Sequence, residues 1–323
     1  MTQFLIRRVF WAIFLFIAAS LVTYVLFFVI PSDPAALAAG KASDPHTVAH
    51  IRHNLHLDLP VYQQYWLFVW NIVRHGYLGF SFVNGMPVRD MLYHEIPVTA
   101  SIVFGGVVLY LGIAIPIGII SALRPRSVTD RTGMVFVLFG VSAPTVWVGL
   151  MLIYFVGFRL GWTPINGYCT LVPQSGVGEC GGVWPWASHL ILPWITLAIG
   201  SAALYTRLIR ANVMETMSED YVRTARAKGA SPQRVLVQHV LRNSMLQVVT
   251  ILGMDLGLLL GGALFIEVVF NLPGLGQQIL TANNRFDLPV IVGITMFACL
   301  AVIVFNFLVD VIYAWLDPRI RLA

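Results

Sequence analysis

The chain has 323 residues, of which 58% are hydrophobic and 11% charged, with a formal net charge of +5 and a mean hydropathy of +0.79. Soluble domains carry about 45–50% apolar and about 25% charged residues, so the composition excludes an ordinary soluble fold and points to an all-α integral membrane protein. The positive charge is dispersed, without the basic block of a nucleic-acid-binding protein, and no nucleic acid is expected as a partner.

Six apolar stretches reach the length of about 20 residues needed to span: 9–30, 98–123, 133–158, 190–209, 246–266 and 288–316. The first could also be read as a secretory signal, because Ala36-Leu37-Ala38 mimics a cleavage site. Its apolar run exceeds the usual 7–15 or so residues of a signal, which favours a span. Residues 31–97 form an external segment that opens with the turn Pro31-Ser32-Asp33-Pro34 and continues with a short polar helix over 46–59. Residues 61–75 (VYQQYWLFVWNIVRH) are rich in aromatics but too short to span. They lie either in the membrane interface, where Tyr and Trp are favoured, or against their own domain.

Ser142-Ala143-Pro144-Thr145 interrupts the third stretch. Proline removes a backbone hydrogen bond, so a kink is predicted. The loop 159–188 holds Cys169 and Cys180. They form either a disulfide in an oxidising compartment or two free thiols, and two cysteines supply too few ligands for a metal. Cys299, inside a span, reads as a small inert apolar residue.

Beyond the fourth span, residues 213–245 form the most polar segment, with SEDYVRTARAKGASPQRVLVQHVLRNSM at its centre. It reads as two short helices meeting at Gly229. Ser218 is the expected N-cap, Glu219 and Asp220 fit the first turn, and Arg223, Arg226 and Lys228 load the far end. Gly229 suits a left-handed closing position, and Ser231-Pro232 restarts a helix. From the residues alone, an amphipathic hairpin on the membrane surface is an equal reading.

The fifth span carries Gly253, Gly257 and Gly261, a stripe that lets helices approach closely. Asp255 lies about 160° away from that stripe near mid-span, where a charge costs at least about 2.5–3.5 kcal/mol. It faces either a central translocation cavity or a buried hydrogen-bonding partner. Asp310 in the sixth span is expected to pair with Arg207 or Arg210.

Lys and Arg set the orientation. The termini, the 124–132 loop and the stretch 207–245 that ends in the hairpin together hold 14, and the intervening segments hold 6. The N- and C-termini are therefore expected to be cytoplasmic. The only lysines are Lys41 and Lys228, and neither stands in the Gly-Lys-Ser/Thr of a Walker A loop. His94-Glu95 is not followed by the second His of a zincin, and Gly140-Val141-Ser142 lacks the second glycine of a nucleophile elbow. No catalytic, metal or cofactor site is expected in this chain.

Glu219, Ala225 and Gly229, within DYVRTARAKGAS, resemble the cytoplasmic EAA loop of bacterial ABC-importer permeases. The segments LHLDLPVYQQYW, GYLGFSF, PVRDML, EIPVTAS, ALRPRSVTDR and NFLVDVIYAWLDPRIR are similar to the dipeptide/oligopeptide/nickel family, and to its B-type subunit. One departure is Gln247, where the family commonly has a proline. The resemblance implies a single permease domain over 1–323 with the type I ABC-importer permease fold, in the bacterial plasma membrane. It implies an external re-entrant segment over 267–287, and ATPase coupling through Glu219, Tyr221, Val222, Arg223, Thr224, Ala225, Arg226, Lys228, Gly229 and Ala230. The implied partners are a second homologous permease, an ATP-binding subunit that holds ATP and Mg, an extracytoplasmic solute-binding protein, membrane lipid and a peptide substrate. Nickel or another small solute is the alternative cargo. A secondary transporter is a more distant reading, because it would need more intramembrane acids and a repeat between halves.

Overall fold

The structure is a computed structural model that describes residues 2–30, 35, 44–54, 57–81, 83–171 and 178–316. The turn at 31–34, the mimic of a cleavage site at 36–38 and the C-terminal 317–323 lie outside the described residues. Helix α1 (Thr2–Tyr24) runs on through a π-helical stretch, Val25–Val29. Helices α2 (Pro45–Asn54) and α3 (Val61–His75) follow, and then a two-stranded antiparallel ribbon, β1 (Phe80–Ser81) with β2 (Met86–Pro87), pairing Phe80 with Pro87 and Ser81 with Met86. The remaining long helices are α4 (Val88–Leu123), α5 (Val128–Ser142), α6 (Thr145–Leu152, extended by Ile153–Arg159) and α7 (Val183–Met217). Helix α8 (Asp220–Ala227) is short. It is followed by a continuous helix, Pro232–Leu260, whose last part is α9 (Arg242–Leu260). Helices α10 (Leu264–Val269), α11 (Leu275–Asn284) and α12 (Leu288–Leu316) complete the described chain.

Among the described residues five helices are long and apolar enough to cross a membrane, and the α5–α6 pair makes a sixth if it counts as one span. The two halves of that pair bend by 99°. The bend sits at Ala143–Pro144, with extended backbone at both residues. Proline cannot donate to the preceding turn and pushes the residue before it out of the helical region. The expected kink is therefore a full break, and α6 restarts with Pro144 as its N-cap.

The fourth and fifth helices both extend beyond their apolar stretches on the side of the 213–245 hairpin. Hydropathy marked 190–209, but the helix runs from Val183 to Met217. It marked 246–266, but the helix runs from Pro232 to Leu260. Backbone hydrogen bonding does not stop where the apolar surface stops. The fifth helix ends early because Gly261 and Gly262 follow, and Gly262 takes φ +138°, which other residues rarely adopt.

Cα packing separates two compact units. The first comprises 1–100, 257–264 and 273–307. Its core gathers Val88, Met91, Leu92, Leu275, Ala282, Val290, Ile291 and Ile294. Gly257 and Gly261 pack on α12: a Cβ on Gly257 would stand 2.6 Å from the Cα of Val302, and one on Gly261 would stand 2.7 Å from the Cβ of Ala298. Two of the three glycines of the stripe, Gly257 and Gly261, thus serve close helix approach, the main way helices associate where lipid removes the hydrophobic drive. The buried Ser81 hydroxyl donates to the buried carboxylate of Asp287 and also accepts the backbone N–H of Asn84 at 3.0 Å, which ties the β-ribbon to the start of α12. Burial pushes the Asp287 carboxyl up from its ordinary pKa, against the lowering effect of the Ser81 bond.

The second unit comprises 101–256, 265–272 and 308–323. Here α5 crosses α7 closely enough that a Cβ on Gly140 would meet the Ile199 carbonyl at 2.7 Å. Trp194 donates its indole N–H to Ser101 O at 2.9 Å.

Candidate functional site

The EAA-like segment is built between two long helices. Helix α7 closes at Ser218, which has helical backbone (φ −88°, ψ −8°) and donates its Oγ to Glu215 O at 2.7 Å. Ser218 therefore ends one helix and does not open the next, because an N-cap needs extended backbone. That role falls to Glu219 (φ −68°, ψ 147°), and Asp220 is the acid of the first turn of α8. The far end behaves as the sequence predicts. Gly229 takes φ +80°, Gly229 N donates to Arg226 O at 3.0 Å, and Ala230 N donates to Ala225 O at 3.2 Å. Ser231 N-caps the next helix by accepting from Arg234 N, with Pro232 at N1.

That next helix is not a separate short arm. It runs unbroken from Pro232 to Leu260 and so includes the fifth span. On the other side, α7 carries the fourth span through to Met217. Helix α8 is therefore joined at each end to a helix that crosses the membrane.

The hairpin is packed as one body. Val222 is fully buried, and so are Val213, Val235 and Val240. Tyr221 Oη accepts from Asn243 Nδ2 at 3.0 Å and donates to His239 O at 3.4 Å. Asn212 Nδ2 donates to Ser244 O at 3.4 Å. Of the residues singled out for coupling, Glu219, Tyr221, Arg223, Thr224, Arg226, Lys228 and Gly229 are exposed, Ala225 and Ala230 are half-buried, and Val222 alone faces fully inward. Arg223 lies 3.4 Å from Asp220 on the open side, a type of exposed pair that contributes little.

Asp130 joins this region through Arg210. The guanidinium donates from Nε to Oδ1 at 2.7 Å and from a terminal nitrogen to Oδ2 at 2.9 Å. Arg126 N adds 2.9 Å to Oδ2. Arg210 is thus engaged by Asp130 and not by Asp310, and Arg207 forms no ion pair among the described residues. The signal was present in the sequence as Ser127-x-x-Asp130, the pattern of a helix start. Ser127 is the N-cap of α5 and accepts from Asp130 N.

Asp255 is half-exposed, and its Oδ2 accepts from Tyr205 Oη at 2.7 Å. The Tyr205 ring stands 4.9 Å from that of the buried Tyr110. Cys169 and Cys180 are joined by a disulfide, with Cα atoms 5.0 Å apart. Thr170 N donates to Gly178 O and Cys180 N donates to Thr170 O, both at 3.0 Å.

Residues 114–322 match the family described as binding-protein-dependent transport system inner membrane component. Residues 1–103 match the N-terminal family of the same transport-system membrane components. The chain is 35% identical to the dipeptide transport system permease protein DppB of Escherichia coli K12, over 337 residues and 99% of each chain. It is 37% identical to the di/tripeptide transport system permease protein DppB of Pseudomonas aeruginosa, over 339 residues and 99% of each. A putative peptide transport system permease protein of Brucella abortus is 36% identical over 321 residues, again 99% of each. The chain belongs to the binding-protein-dependent transport system inner membrane component family, with the type I ABC-importer permease fold.

Proposed function

We propose that this chain forms half of the translocation pathway of an ATP-driven importer of di- and oligopeptides, and that it is not itself catalytic. A second permease completes the pathway, an external solute-binding protein delivers the cargo, and a separate ATPase subunit holds ATP and Mg. The ATPase docks on α8 and the turn that follows it, meeting Glu219, Tyr221, Arg223, Thr224, Arg226 and Lys228, while Val222 keeps α8 seated. The observation that carries this reading is the continuity of α8's neighbours with two membrane helices. A ligand shifts an equilibrium only through different affinity for its two states. An ATPase that grips α8 differently in its ATP-bound and ATP-free states would tilt both helices without any further linkage.

The hairpin and both termini face the cytoplasm on this reading, which rests on the excess of Lys and Arg there. The segment 267–287 then re-enters from the outside, and Asp255 lines the pathway. Peptide is favoured over nickel because the similar proteins named above carry peptide in their names. The test is a cysteine at Thr224 paired with cysteines scanned along the groove of the co-purifying ATPase. A disulfide whose yield changes between ATP and no nucleotide is expected. Cross-linking that is absent throughout, with the ATPase still bound, would move the docking site elsewhere.

A further inference from the structure

Helix α3 has two aromatic faces, and only one is spent on the protein. The inner face lies on the end of α1. Tyr24 Oη donates to Gln64 Oε1 at 2.5 Å, and the Tyr24 ring lies 5.6 Å from Tyr65 and 5.4 Å from Phe68. The Gln64 amide also donates to Leu59 O at 2.7 Å, so this contact is polar and fully made. The opposite face carries Tyr62, Trp66, Trp70 and Val73, which are 71%, 65%, 43% and 72% exposed. Trp66 and Trp70 are stacked at 6.3 Å, and the Arg74 guanidinium lies 5.3 Å from the centre of the Trp70 ring.

Behind α3 is a cleft of about 100 Å³, bounded by Phe28 of α1, Leu67 and Phe68 of α3, Leu78, and Pro289 and Val292 of α12. Its lining is mostly apolar. Two polar side chains that line it, Asn71 and Tyr77, form no hydrogen bond with any described residue. The cleft lies beside the last turns of a membrane-spanning helix, α1, whose Leu21, Val22, Val25, Leu26 and Val29 are themselves exposed. Helix α3 and its exposed aromatic face thus sit next to a helix apolar and exposed enough to meet lipid.

We propose that α3 and the cleft behind it form a phospholipid site at the membrane interface. One stretch of acyl chain fills the cleft, Asn71 donates to an ester carbonyl, and Arg74, held over Trp70, meets the phosphate. Trp and Tyr favour this layer because one part of each ring system is apolar and another accepts water. A cation near the surface favours an anionic headgroup, so phosphatidylglycerol is the preferred lipid over phosphatidylethanolamine.

The test uses the intact transporter complex in nanodiscs, with phosphatidylglycerol or phosphatidylethanolamine brominated on the upper acyl chain. Tryptophan fluorescence is compared between the natural chain and Trp66→Phe/Trp70→Phe. Native mass spectrometry counts the phospholipid retained by Asn71→Leu and Arg74→Gln. The expected result is bromine quenching that the double substitution reduces, the remainder coming from other exposed tryptophans such as Trp11. Retention should be about fivefold weaker in Asn71→Leu, the equivalent of one lost hydrogen bond. Arg74→Gln should lose the preference for phosphatidylglycerol. Quenching unchanged by the double substitution would overturn the proposal, as would shielding of these tryptophans only when a solute-binding protein is added. The conservative aromatic substitutions keep the test decisive if Asn71→Leu fails to fold. Lipid retention is read without transport, so this result stands apart from the assignment of cargo and ATPase.

Discussion

Asp130 shows how one carboxylate can fix a junction. It accepts two bonds from Arg210 and one from Arg126 N, and it is itself buried. Removing one partner of such a pair strands the other charge, at a cost on the order of 3 kcal/mol. Asp130→Ala should therefore lower the thermal unfolding midpoint of the purified complex markedly. Arg210→Lys should recover only part of that loss, because an ammonium lacks the planar fork that meets both oxygens. Equal stability of Arg210→Lys and the natural chain would show that the paired geometry is unimportant. Asp287 gives the opposite lesson. Its folded-state pKa is raised by burial, so its ionisation opposes folding. The stability it contributes is present below the unfolded value and is lost as pH rises through the raised folded value. Asp287→Asn, which still accepts from Ser81, should flatten the gain in stability seen as pH falls through that window. A melting-temperature profile that keeps its full slope in the variant would refute this. The sequence offers the helix start Ser127-x-x-Asp130 but neither the pairing of Asp130 with Arg210 nor the burial of Asp287. Asp310 was the expected partner of Arg207 or Arg210 because charge alone does not choose between neighbouring arginines, and Asp287 stands out in the sequence only as the last residue of the 267–287 segment.

At the scale of elements, glycines decide most of what changes. Gly229 at φ +80° closes α8, and its N–H is used by Arg226 O. Gly229→Pro denies both the angle and the donor. It should leave the ATPase bound but break the link between ATP hydrolysis and uptake, measured together in proteoliposomes. Retained coupling would mean that the turn does not act as a rigid connector. Gly257 works through space, since a side chain there would press on Val302. Gly257→Val should cost about 1–3 kcal/mol by overpacking, read as a lower melting temperature, whereas Leu258→Val on the exposed face should be nearly silent. The hairpin's turn, the glycine stripe and the second helix start at Ser231 were all legible, because each depends on local backbone chemistry. The N-cap was displaced by one residue, from Ser218 to Glu219, because α7 reached further than its apolar stretch. The break at Pro144 was legible as a place but not as a 99° bend, since a proline fixes the lost bond and not the angle that packing then selects.

For the whole molecule, composition alone was enough to identify a helical membrane protein, and the EAA-like words to point to its family. Full-length similarity to peptide permeases agrees with both. What composition could not supply was the mechanical layout. Hydropathy marks the apolar stretches, while the helices on either side of α8 extend well beyond those stretches at their polar ends. Sidedness rests on charge asymmetry. Cysteines placed in the exposed turn at Lys228 should react with a membrane-impermeant thiol reagent in inverted vesicles stripped of the ATPase and not in right-side-out spheroplasts. The reverse pattern would invert the whole assignment.

The most direct test of the central claim is ATP hydrolysis by the complex that co-purifies with this chain in mild detergent. It would be measured before and after addition of its solute-binding protein loaded from a peptide mixture, with chelated nickel as the control. The account predicts a co-purifying ATPase whose turnover rises with the peptide-loaded protein and stays flat with nickel. Absence of any co-purifying ATPase would contradict it.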